Sequence, residues 1–284
     1  MKWYKKYLLV FEKSLDSVPQ RVIDEVGEKL NNLQSGNPLV SVVVIAFNEE
    51  TRLISCLWSL SESKIKYPIE ILGVNNNSSD RTADVFKAVG LDYYDESRKG
   101  PGFARNRGLK EAKGKYTLCI DSDTIYPNKY LETMTDALEK PGVVAVCSLW
   151  SYVPSRNFPK FGMFFYELIR DVHLLLLSFK SPERCVRGMV FGHVTDLART
   201  IGYKTNIIRG EDGSMAYKLK EYGKIVFIRK RKARPVTSTA TLKADGSLIK
   251  AFWVRAISAL RGSRKYIIKT KGEVKDQPTN ILKD

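Results

Sequence analysis

The sequence predicts an α/β fold with a mostly parallel β-sheet flanked by helices, and two observations lead to this prediction. Mostly apolar runs rich in β-branched residues, such as 40–47 and 69–74, have the pattern of buried parallel strands. These runs alternate with segments whose apolar residues recur at helical spacing, as in the stretch with Leu53, Leu57 and Leu60. In such a sheet, ligands bind beyond the carboxyl ends of the strands.

The composition points to an anionic partner. The 284 residues contain 47 Lys and Arg against 31 Asp and Glu, a net charge of +16. This excess is typical of proteins that bind nucleic acid, a phospholipid surface or a phosphorylated substrate. The four cysteines lie too far apart to indicate a zinc site or a disulfide framework. Because neither a signal peptide nor a bilayer-length apolar run is recognisable, we expect a cytoplasmic protein.

The first 37 residues are predicted to form a helical extension. Residues 1–11 mix aromatic and apolar side chains with three lysines. This pattern is typical of an interfacial membrane anchor or of a helix packed on the domain, and we favour the packed helix. Apolar residues follow at helical spacing from Val22 to Leu33, and turn residues at 35–38 end the segment.

Three predicted strands end in clusters of polar residues, at 48–50, 75–80 and 121–123. Because the carboxyl ends of parallel strands meet at one edge of a sheet, we expect these clusters to face one crevice. Within the second cluster, Asp80 is a natural N-cap for the helix that follows, so we expect a structural role for it.

Asp121 and Asp123 lie one residue apart, directly after the buried strand predicted at 116–120. Two neighbouring carboxylates repel each other unless a positive charge lies near them. Mg²⁺ and Mn²⁺ prefer oxygen ligands and keep coordination positions open for substrate phosphates. The pair therefore indicates a metal site for a nucleoside diphosphate, or else a polar turn in which Asp123 caps the next helix.

Several common phosphate-binding and catalytic motifs are absent from the sequence. The first strand is not followed by Gly-x-Gly-x-x-Gly, and the chain contains no Gly-x-x-x-x-Gly-Lys-Ser/Thr. A dinucleotide fold and a P-loop are therefore disfavoured. There is also no Gly-x-Ser-x-Gly nucleophile elbow. Phosphate is expected to be held by metal and side chains.

Five segments together resemble the family 2 glycosyltransferases, inverting enzymes with the GT-A (Rossmann-like) fold. The matching segments are Val42-Val43-Val44-Ile45-Ala46-Phe47-Asn48-Glu49, Asn76-Asn77-Ser78-Ser79-Asp80-Arg81-Thr82, Gly102-Phe103-Ala104-Arg105-Asn106-Arg107-Gly108, Asp121-Ser122-Asp123 and Gly210-Glu211-Asp212. Each segment is a weak signal alone. Their order and spacing make the resemblance specific, and it covers roughly two thirds of the chain.

The resemblance implies that a sugar is transferred from a nucleoside-diphosphate donor, with a UDP-sugar favoured and Mn²⁺ or Mg²⁺ as cofactor. Asp123 is implied to ligate the metal, and Asp121 to lie beside the ribose or the sugar. Asp212 is implied to be the general base, with Glu211 sharing that role or orienting the acceptor. The other predicted donor-binding residues are Ala46, Phe47, Asn48, Glu49, Asn75, Asn76, Lys99, Arg105 and Ser122.

The chemistry of the reaction agrees with these roles. Displacing a nucleoside diphosphate requires neutralising a phosphate leaving group, which suits a cation. On the opposite face, a carboxylate must take the proton from the attacking hydroxyl. Asp212 has an alternative structural interpretation as a helix N-cap, since Met215 and Leu219 continue at helical spacing. Lys99 and Arg105 are included because they lie near a predicted helix N-terminus.

Two features qualify the resemblance. The family often has Asp where this chain has Asn75, on the turn that meets the nucleobase. An amide still forms hydrogen bonds with uracil. Because the negative charge is missing, however, the sequence defines the base of the nucleotide less sharply than in other family members. The Gln-x-x-Arg-Trp signature and the membrane spans of processive polysaccharide synthases are absent from the sequence. A transferase that adds one sugar is therefore favoured.

Three further residues have two interpretations each. His193 is a candidate third metal ligand, although a structural histidine is favoured. Trp150 and Tyr152 line the acceptor side or belong to the core. With His173 as the only other histidine, the sequence excludes histidine-rich metal or base chemistry.

Two stretches of the sequence are relevant to membrane binding. Residues 161–179 are nearly apolar, but Glu167, Arg170 and Asp171 interrupt them, which favours a helix buried on one side over one that crosses lipid. Residues 247–269 form a basic amphipathic pattern with Trp253, typical of a membrane-surface helix or of a helix docked on the domain. The basic run at 229–234 suits phosphate or lipid headgroups.

We therefore expect an N-terminal helical extension at 1–37, a GT-A domain at 38–240 and a basic amphipathic extension at 241–284. The domain divides into a nucleotide-sugar half at 38–125 and an acceptor half at 126–240. The expected function is hexosyl transfer to a sugar or lipid-linked saccharide in cell-surface polysaccharide or glycoconjugate synthesis. We expect a cytoplasmic location, peripheral at the inner face of an anionic membrane.

Two alternative functions follow from the same residues. A nucleotidyltransferase also uses paired acidic residues and metal but releases pyrophosphate, and the Gly210-Glu211-Asp212 segment disfavours it. The charge of +16 alone supports nucleic-acid binding. No nucleic-acid-binding motif accompanies that charge, so nucleic acid is not an expected partner.

Overall fold

The structure, a computed structural model, describes residues 2–154 and 159–240. The predicted extension at 241–284 lies outside the described residues. In chain order the strands are β1 (Val40–Ala46), β2 (Ile69–Asn75), β3 (Tyr93–Asp95), β4 (Tyr116–Asp121), β5 (Thr124–Ile125), β6 (Val143–Ser148), β7 (Ser151–Tyr152), β8 (Phe191–Val194), β9 (Lys224–Ile228) and β10 (Val236–Thr237). The α-helices are α1 (Gln20–Leu33), α2 (Glu50–Ser61), α3 (Thr82–Ala88), α4 (Pro101–Glu111), α5 (Tyr130–Leu138), α6 (Lys160–Lys180), α7 (Thr195–Ile201) and α8 (Glu211–Leu219).

The described residues form a seven-stranded central sheet in the order β3-β2-β1-β4-β8-β6-β9. The predicted strands β1, β2 and β4 are neighbours and run parallel to each other. β8 is antiparallel to both β4 and β6, whereas β3 and β9 are parallel to their neighbours. The prediction of a mostly parallel sheet flanked by helices is therefore confirmed.

Both faces of the central strands are buried, which is why their sequences are mostly apolar. On β1, Val42 and Val44 pack into the large core that includes Leu53 of α2. Val43, between them, points to the opposite face and packs with Ala104 of α4. The two helices thus lie on opposite sides of the strand that ends at the predicted crevice.

The N-terminal segment is packed on α2. A 3₁₀ helix at Trp3–Leu9 buries Tyr7, whose ring meets Trp58 edge-to-face at a centroid distance of 5.4 Å. The Tyr7 hydroxyl donates to Glu62 at 2.8 Å, and the Ser55 hydroxyl donates to the Tyr7 carbonyl at 2.9 Å. These contacts agree with the packed helix favoured from the sequence.

A second, small sheet joins distant parts of the chain. β10 pairs antiparallel with β5 and parallel with β7. It therefore brings residues 236–238 next to the segment that follows Asp121 and Asp123. The longest helix, α6, begins soon after β7. Within the described ranges, no helix is both long enough and apolar enough to cross a membrane.

Candidate active site

A cleft of about 650 Å³ opens at the carboxyl ends of β1, β2 and β4. The strand ends lie level because Ile45 is in register with Asp121 and Ala46 with Asn75. All predicted site residues except Asn48 and Asn75 line the cleft. The opposite wall comes from the second half of the domain and consists of Val186, Arg187 and residues 208–213.

Arg105 connects the two walls of the cleft. Its side chain extends from α4 and is buried, with 3% of the residue exposed. Its Nη2 donates to Oδ1 of Asp121 at 2.5 Å, and its Nε lies 3.4 Å from Oδ1 of Asp212. One buried guanidinium therefore pairs with the first carboxylate of the Asp121-Ser122-Asp123 segment and with the predicted general base.

The carboxylates of this cluster are crowded. Burial raises the pKa of Asp121 to about 6, although the Arg105 guanidinium opposes the shift. Burial, and then the adjacent Asp212 carboxylate, raises the pKa of Glu211 well above its usual value. Like charges held out of water raise each other's pKa in this way. The cluster is thus an environment in which additional positive charge is stabilising.

Gly188 is where this cluster meets the backbone of the opposite wall. A Cβ at this position would lie 2.2 Å from Nη2 of Arg105, 2.6 Å from Oδ2 of Asp212 and 3.2 Å from Oδ1 of Asp121. Only glycine allows so close an approach without displacing an ion-paired side chain. The backbone at 188 therefore closes over the contact between Arg105 and its two carboxylates.

The sharp turn before α8 places Glu211 and Asp212 at the cleft. Gly210 has φ of +98°, a conformation that glycine adopts without strain, and Glu211 is the first residue of the helix. Met215 and Leu219 follow Glu211 on the same face of α8, and their burial holds the helix in place. Among the described residues, Oδ1 of Asp212 is buried and accepts no hydrogen bond, because Arg105 Nε is not aligned for one.

Asp123 is held by hydroxyl groups from the small sheet. Its Oδ1 accepts from Thr124 at 3.0 Å and from Thr237 at 3.2 Å, and its Oδ2 accepts from Ser238 at 2.5 Å. The next α-helix, α5, begins only at Tyr130 and has Lys129 at its N-cap. The alternative interpretation of Asp123 as a helix cap is therefore wrong.

Arg52 forms a second bridge between carboxylates. Its Nε lies 3.0 Å from Oε2 of Glu49, an ion pair not aligned for a hydrogen bond. Its Nη1 lies 3.9 Å from Oδ2 of Asp123 and donates to the Ser238 hydroxyl at 3.3 Å. Burial, and then the Asp123 carboxylate, raises the pKa of Glu49 to about 8.

Asn48 and Asn75 support the cleft from outside its lining. Asn48 has φ of +53°, and its Oδ1 accepts from the Ser79 amide at 2.8 Å. Asn75 donates from Nδ2 to Asp95 at 2.7 Å. Asn48 thus holds the turn at Ser79, and Asn75 joins the ends of β2 and β3. The structure does not place these two side chains with the other predicted site residues in the cleft lining.

Asn76 and Asp80 also make structural bonds. Asn76 lines the cleft, but both ends of its side-chain amide are used by the protein. Its Nδ2 donates to the carbonyl of Arg98 at 2.7 Å, and its Oδ1 accepts from the backbone N–H of Gly100 at 3.0 Å. It thus fixes the loop that leads into α4. Asp80 accepts from the amides of Thr82 and Glu50, the first residues of α3 and α2, as its predicted capping role requires.

The rim of the cleft is aromatic and basic. Phe47 is 42% exposed, and the Lys99 ammonium lies 5.2 Å from the centre of its ring. Ile208 and Arg209 face them from the second half of the domain. Of the second wall, the sequence analysis predicted Glu211 and Asp212 but missed Val186, Arg187, Ile208 and Arg209. It also missed Arg52. Arg52 had a weak signal, since it lies one helical turn after Glu49, whereas Arg187, Gly188 and Ile208 had none.

The three residues with two interpretations lie in the core and do not line the cleft. His193 is fully buried, with Nε2 at 2.8 Å from the Tyr203 hydroxyl, and burial lowers its pKa to about 3. Trp150 and Tyr152 are buried beneath Arg170, whose guanidinium carbon lies 4.4 Å and 5.6 Å from the two ring centres. The structural interpretation therefore holds for all three.

A parallel sheet with an acidic cleft beyond its strand ends is the arrangement of an α/β enzyme that binds its ligand at the sheet edge. The chain belongs to glycosyl transferase family 2, whose sequence model matches residues 41–191. It is 30% identical over 138 residues to glycosyltransferase GlyA of Streptococcus pneumoniae, a match covering 46% of this chain and 19% of that protein. It is 32% identical over 122 residues to the uncharacterized glycosyltransferase YibD of Escherichia coli, covering 41% and 35%. The chain thus matches only a minor part of each relative's length.

Solved structures of glycosyltransferases share the fold. The mannosyltransferase PcManGT of Pyrobaculum calidifontis, in complex with GDP-Man and Mn²⁺, aligns over 95% of this chain and 72% of its own, with a TM-score of 0.58 and 20% identity. Glucosyl-3-phosphoglycerate synthase of Mycobacterium tuberculosis, in complex with Mn²⁺, UDP-glucose and phosphoglyceric acid, covers 82% and 83%, with a TM-score of 0.55 and 21% identity. These similarities confirm the predicted GT-A fold.

Proposed function

We propose that this protein is a metal-dependent, inverting glycosyltransferase that moves a sugar from a nucleoside diphosphate to a hydroxyl of a saccharide or lipid-linked acceptor. The observation that carries the proposal is the arrangement around Arg105, which pairs Asp121 of the first half with Asp212 of the second across one cleft. A donor bound along the strand ends would present its anomeric carbon between these two walls.

Asp212 is the general base in this proposal. It lines the cleft, and its Oδ1 accepts no hydrogen bond from the described residues, so that oxygen is available to a proton donor after a small rotation. The Arg105 guanidinium, 3.4 Å away, keeps the carboxylate in place. An ionised carboxylate in this position takes the proton of the acceptor hydroxyl as the hydroxyl attacks.

The residues present fit a divalent cation only together with substrate phosphates. No group of three metal-ligating side chains occurs in the described part of the chain. Asp123, however, faces the cleft between Asp121 and Glu49, and burial together with neighbouring negative charge raises the pKa of both of these carboxyls. Mg²⁺ and Mn²⁺ are commonly bound by one or two carboxylates plus the substrate diphosphate. When bound to Asp123, such a cation would neutralise the departing diphosphate.

The donor in this proposal is a UDP-sugar, and the nucleoside lies along the end of β1. Ala46, Phe47 and Glu49 line that side of the cleft. The exposed ring of Phe47 offers a surface for the base, and Lys99 above it offers a positive charge for the phosphates. The proposed role is in cell-surface polysaccharide or glycoconjugate synthesis, with the protein peripheral at the inner face of a membrane.

A thermal-shift panel tests the donor class. UDP, GDP and their sugars are added with and without Mn²⁺, and one nucleotide is expected to raise Tm only with the metal. At about 100 times Kd the added stability is about 2.7 kcal/mol, or several degrees in Tm. A shift with oligonucleotides alone contradicts the proposal. Pyrophosphate release from a nucleoside triphosphate and a sugar phosphate would instead identify a nucleotidyltransferase.

A further inference from the structure

The outward side of α6 is an exposed apolar stripe. Along this helix of 21 residues, large apolar side chains recur every three or four positions on the side away from the domain. The stripe, called the α6 outer face below, consists of Phe161, Phe164, Leu168, Val172, Leu176 and Phe179. Their exposed fractions range from 48% for Leu168 to 77% for Phe161. With a rise of 1.5 Å per residue, the face is about 27 Å long.

The charged residues between the two ends of α6 are turned inward and make contacts with the domain. Glu167 accepts from the backbone amide of Tyr152 at 2.7 Å and from the Ser151 hydroxyl at 2.8 Å. Arg234, next to β10, donates to Glu167 at 3.0 Å and to Asp171 at 2.6 Å. A surface helix ordinarily buries its apolar stripe and exposes its charges. Here the polar side bonds the helix to the small sheet, and the apolar side remains exposed.

Basic residues flank the α6 outer face. Lys160 begins the helix, Lys180 ends it, and both are exposed. Arg184, also exposed, follows in the 3₁₀ helix at Pro182–Cys185. The only ionisable side chain with an exposed position within 161–179 is His173. The face is therefore apolar along its length and positive at its ends.

We propose that the α6 outer face docks on the surface of a lipid membrane that carries anionic headgroups, with the helix lying in the plane of the interface. An amphipathic helix of this kind buries its apolar face several ångströms deep, and basic residues beside it bind anionic lipid. The net charge of +16 adds long-range attraction to the same surface.

The positive charge at the ends of the α6 outer face favours an anionic membrane over the other molecules that could cover this face. A second copy packed on this face, parallel or antiparallel, would bring the lysines at the helix ends against lysines of its partner, and like charges disfavour that contact. The segment at 247–269 of the same chain, outside the described residues, is itself basic in sequence. It would place positive charge next to Lys160 and Lys180. An anionic bilayer complements both the stripe and its ends.

Docking through α6 would set the position of the cleft relative to the membrane surface. The chain leaves α6 at Lys180 and reaches Val186 and Arg187, which line the cleft, within seven residues. If the proposed transferase function holds, a lipid-anchored acceptor would meet the second wall of the cleft from the membrane side. Only this consequence rests on the proposed function; the docking itself does not.

Vesicle flotation of the full chain, without any substrate, tests the docking. The double variant Leu168→Ser, Leu176→Ser removes apolar area but no charge. It is expected to lower the partition coefficient onto phosphatidylcholine–phosphatidylglycerol vesicles at least about tenfold. The matched control, Leu9→Ser with Tyr222→Ser, alters two similarly exposed side chains elsewhere and is expected to bind like the wild type. Equal binding by both double variants, or no binding by the wild type, overturns the proposal.

A photoreactive amino acid in place of Leu168 identifies what covers the face. In the presence of the anionic vesicles, adducts to lipid acyl chains are expected. Cross-links to a peptide from 241–284 would show that the chain covers its own stripe, and cross-links between chains would show self-association; either result overturns membrane docking. Because no nucleotide is present, failure of this test and failure of donor binding are separate outcomes.

Discussion

Arg105 and Asp121 form a hydrogen-bonded ion pair of 2.5 Å between α4 and the end of β4. The same guanidinium lies 3.4 Å from Asp212 at the start of α8. Two carboxylates from distant parts of the sequence therefore depend on one buried cation. A charge buried in this way is stable only while its partners are present.

Replacing Arg105 by Met should destabilise the protein strongly, because Asp121 and Asp212 would be left without their buried counter-charge. Breaking such a cluster typically lowers the free energy of unfolding by about 3–5 kcal/mol. Urea denaturation measures the change. Arg107→Met, on the same helix, is the control. Its half-exposed side chain pairs with Glu111 at 3.3 Å, a contact expected to contribute less than about 1 kcal/mol. Similar losses in both variants would contradict the role of Arg105.

Gly188→Ala should impair activity more than stability. The added methyl would lie 2.2 Å from Arg105 Nη2 and 2.6 Å from Asp212 Oδ2, so the ion pairs must shift to admit it. Displacement of a reacting group by about 1 Å can lower activity roughly 100-fold. Gly36→Ala is the control, since a Cβ there meets nothing within 4 Å. The comparison is kcat/KM once an acceptor is known, with circular dichroism to verify folding. An active Gly188→Ala enzyme would show that the cluster tolerates rearrangement.

Asp212→Asn should retain the donor but lose transfer. The amide keeps the shape of the side chain and cannot accept the proton of the acceptor, so kcat is expected to fall by about 10² to 10⁴. Donor affinity, measured by calorimetry, is expected to change little. Glu211→Gln is the neighbouring control and should reduce kcat less. If the two effects are reversed, Glu211 is the base and Asp212 the positioning residue.

Asp123→Ala should abolish the metal-dependent part of donor binding, because the remaining carboxylates are already engaged by Arg52 and Arg105. Asp80→Ala is the control and removes an exposed carboxylate that bonds to the first amides of α2 and α3. It is expected to lower stability by about 1 kcal/mol and to leave Mn²⁺-dependent binding intact. Titrating UDP with and without Mn²⁺ separates the two effects. Metal dependence that survives in Asp123→Ala would place the cation elsewhere.

The pH dependence of stability should carry the signature of His193. Burial holds the pKa of His193 at about 3, whereas an unfolded histidine has a pKa of about 6.5. Between these values only the unfolded chain takes up the proton, so the free energy of unfolding falls as pH drops below about 6.5. At pH 5 the loss from this residue is about 2 kcal/mol. His193→Gln should show that much less acid destabilisation, while His173→Gln, which alters the exposed histidine, should match the wild type.

The strand ends could be predicted from sequence because the local pattern determines them. Runs that are apolar at nearly every position, as from Val40 to Ala46 with Ser41 as the exception, are buried on both faces. The polar residues after them have to lie at the sheet edge. This reasoning found the fold and one wall of the cleft. It also predicted a capping role for Asp80, whose preference for a helix start is local.

The second wall could not be predicted in this way. Arg187 and Gly188 lie in a segment without periodicity, and they reach the cleft only because that segment packs against α4 and β4. Asn48 and Asn75 show the converse. Their place in a polar cluster predicted ligand contact, but Asn48 bonds to Ser79 and Asn75 bonds to Asp95, which lie 31 and 20 residues away in sequence. Sequence position indicates which edge a residue lies on, whereas its partners depend on tertiary contacts.

Two of the three hydroxyl groups that hold Asp123 come from very late in the described chain. Ser238 follows Asp123 by 115 positions, and Thr237 follows it by 114. Contacts between residues so far apart in sequence form slowly, because a long loop must close first. During synthesis, strands β1, β2 and β4 can pair while residues 236–238 are still inside the ribosome. We therefore expect a nascent protein to form the edge of the sheet at β1, β2 and β4 first and to fix the Asp123 side chain only once β10 has emerged.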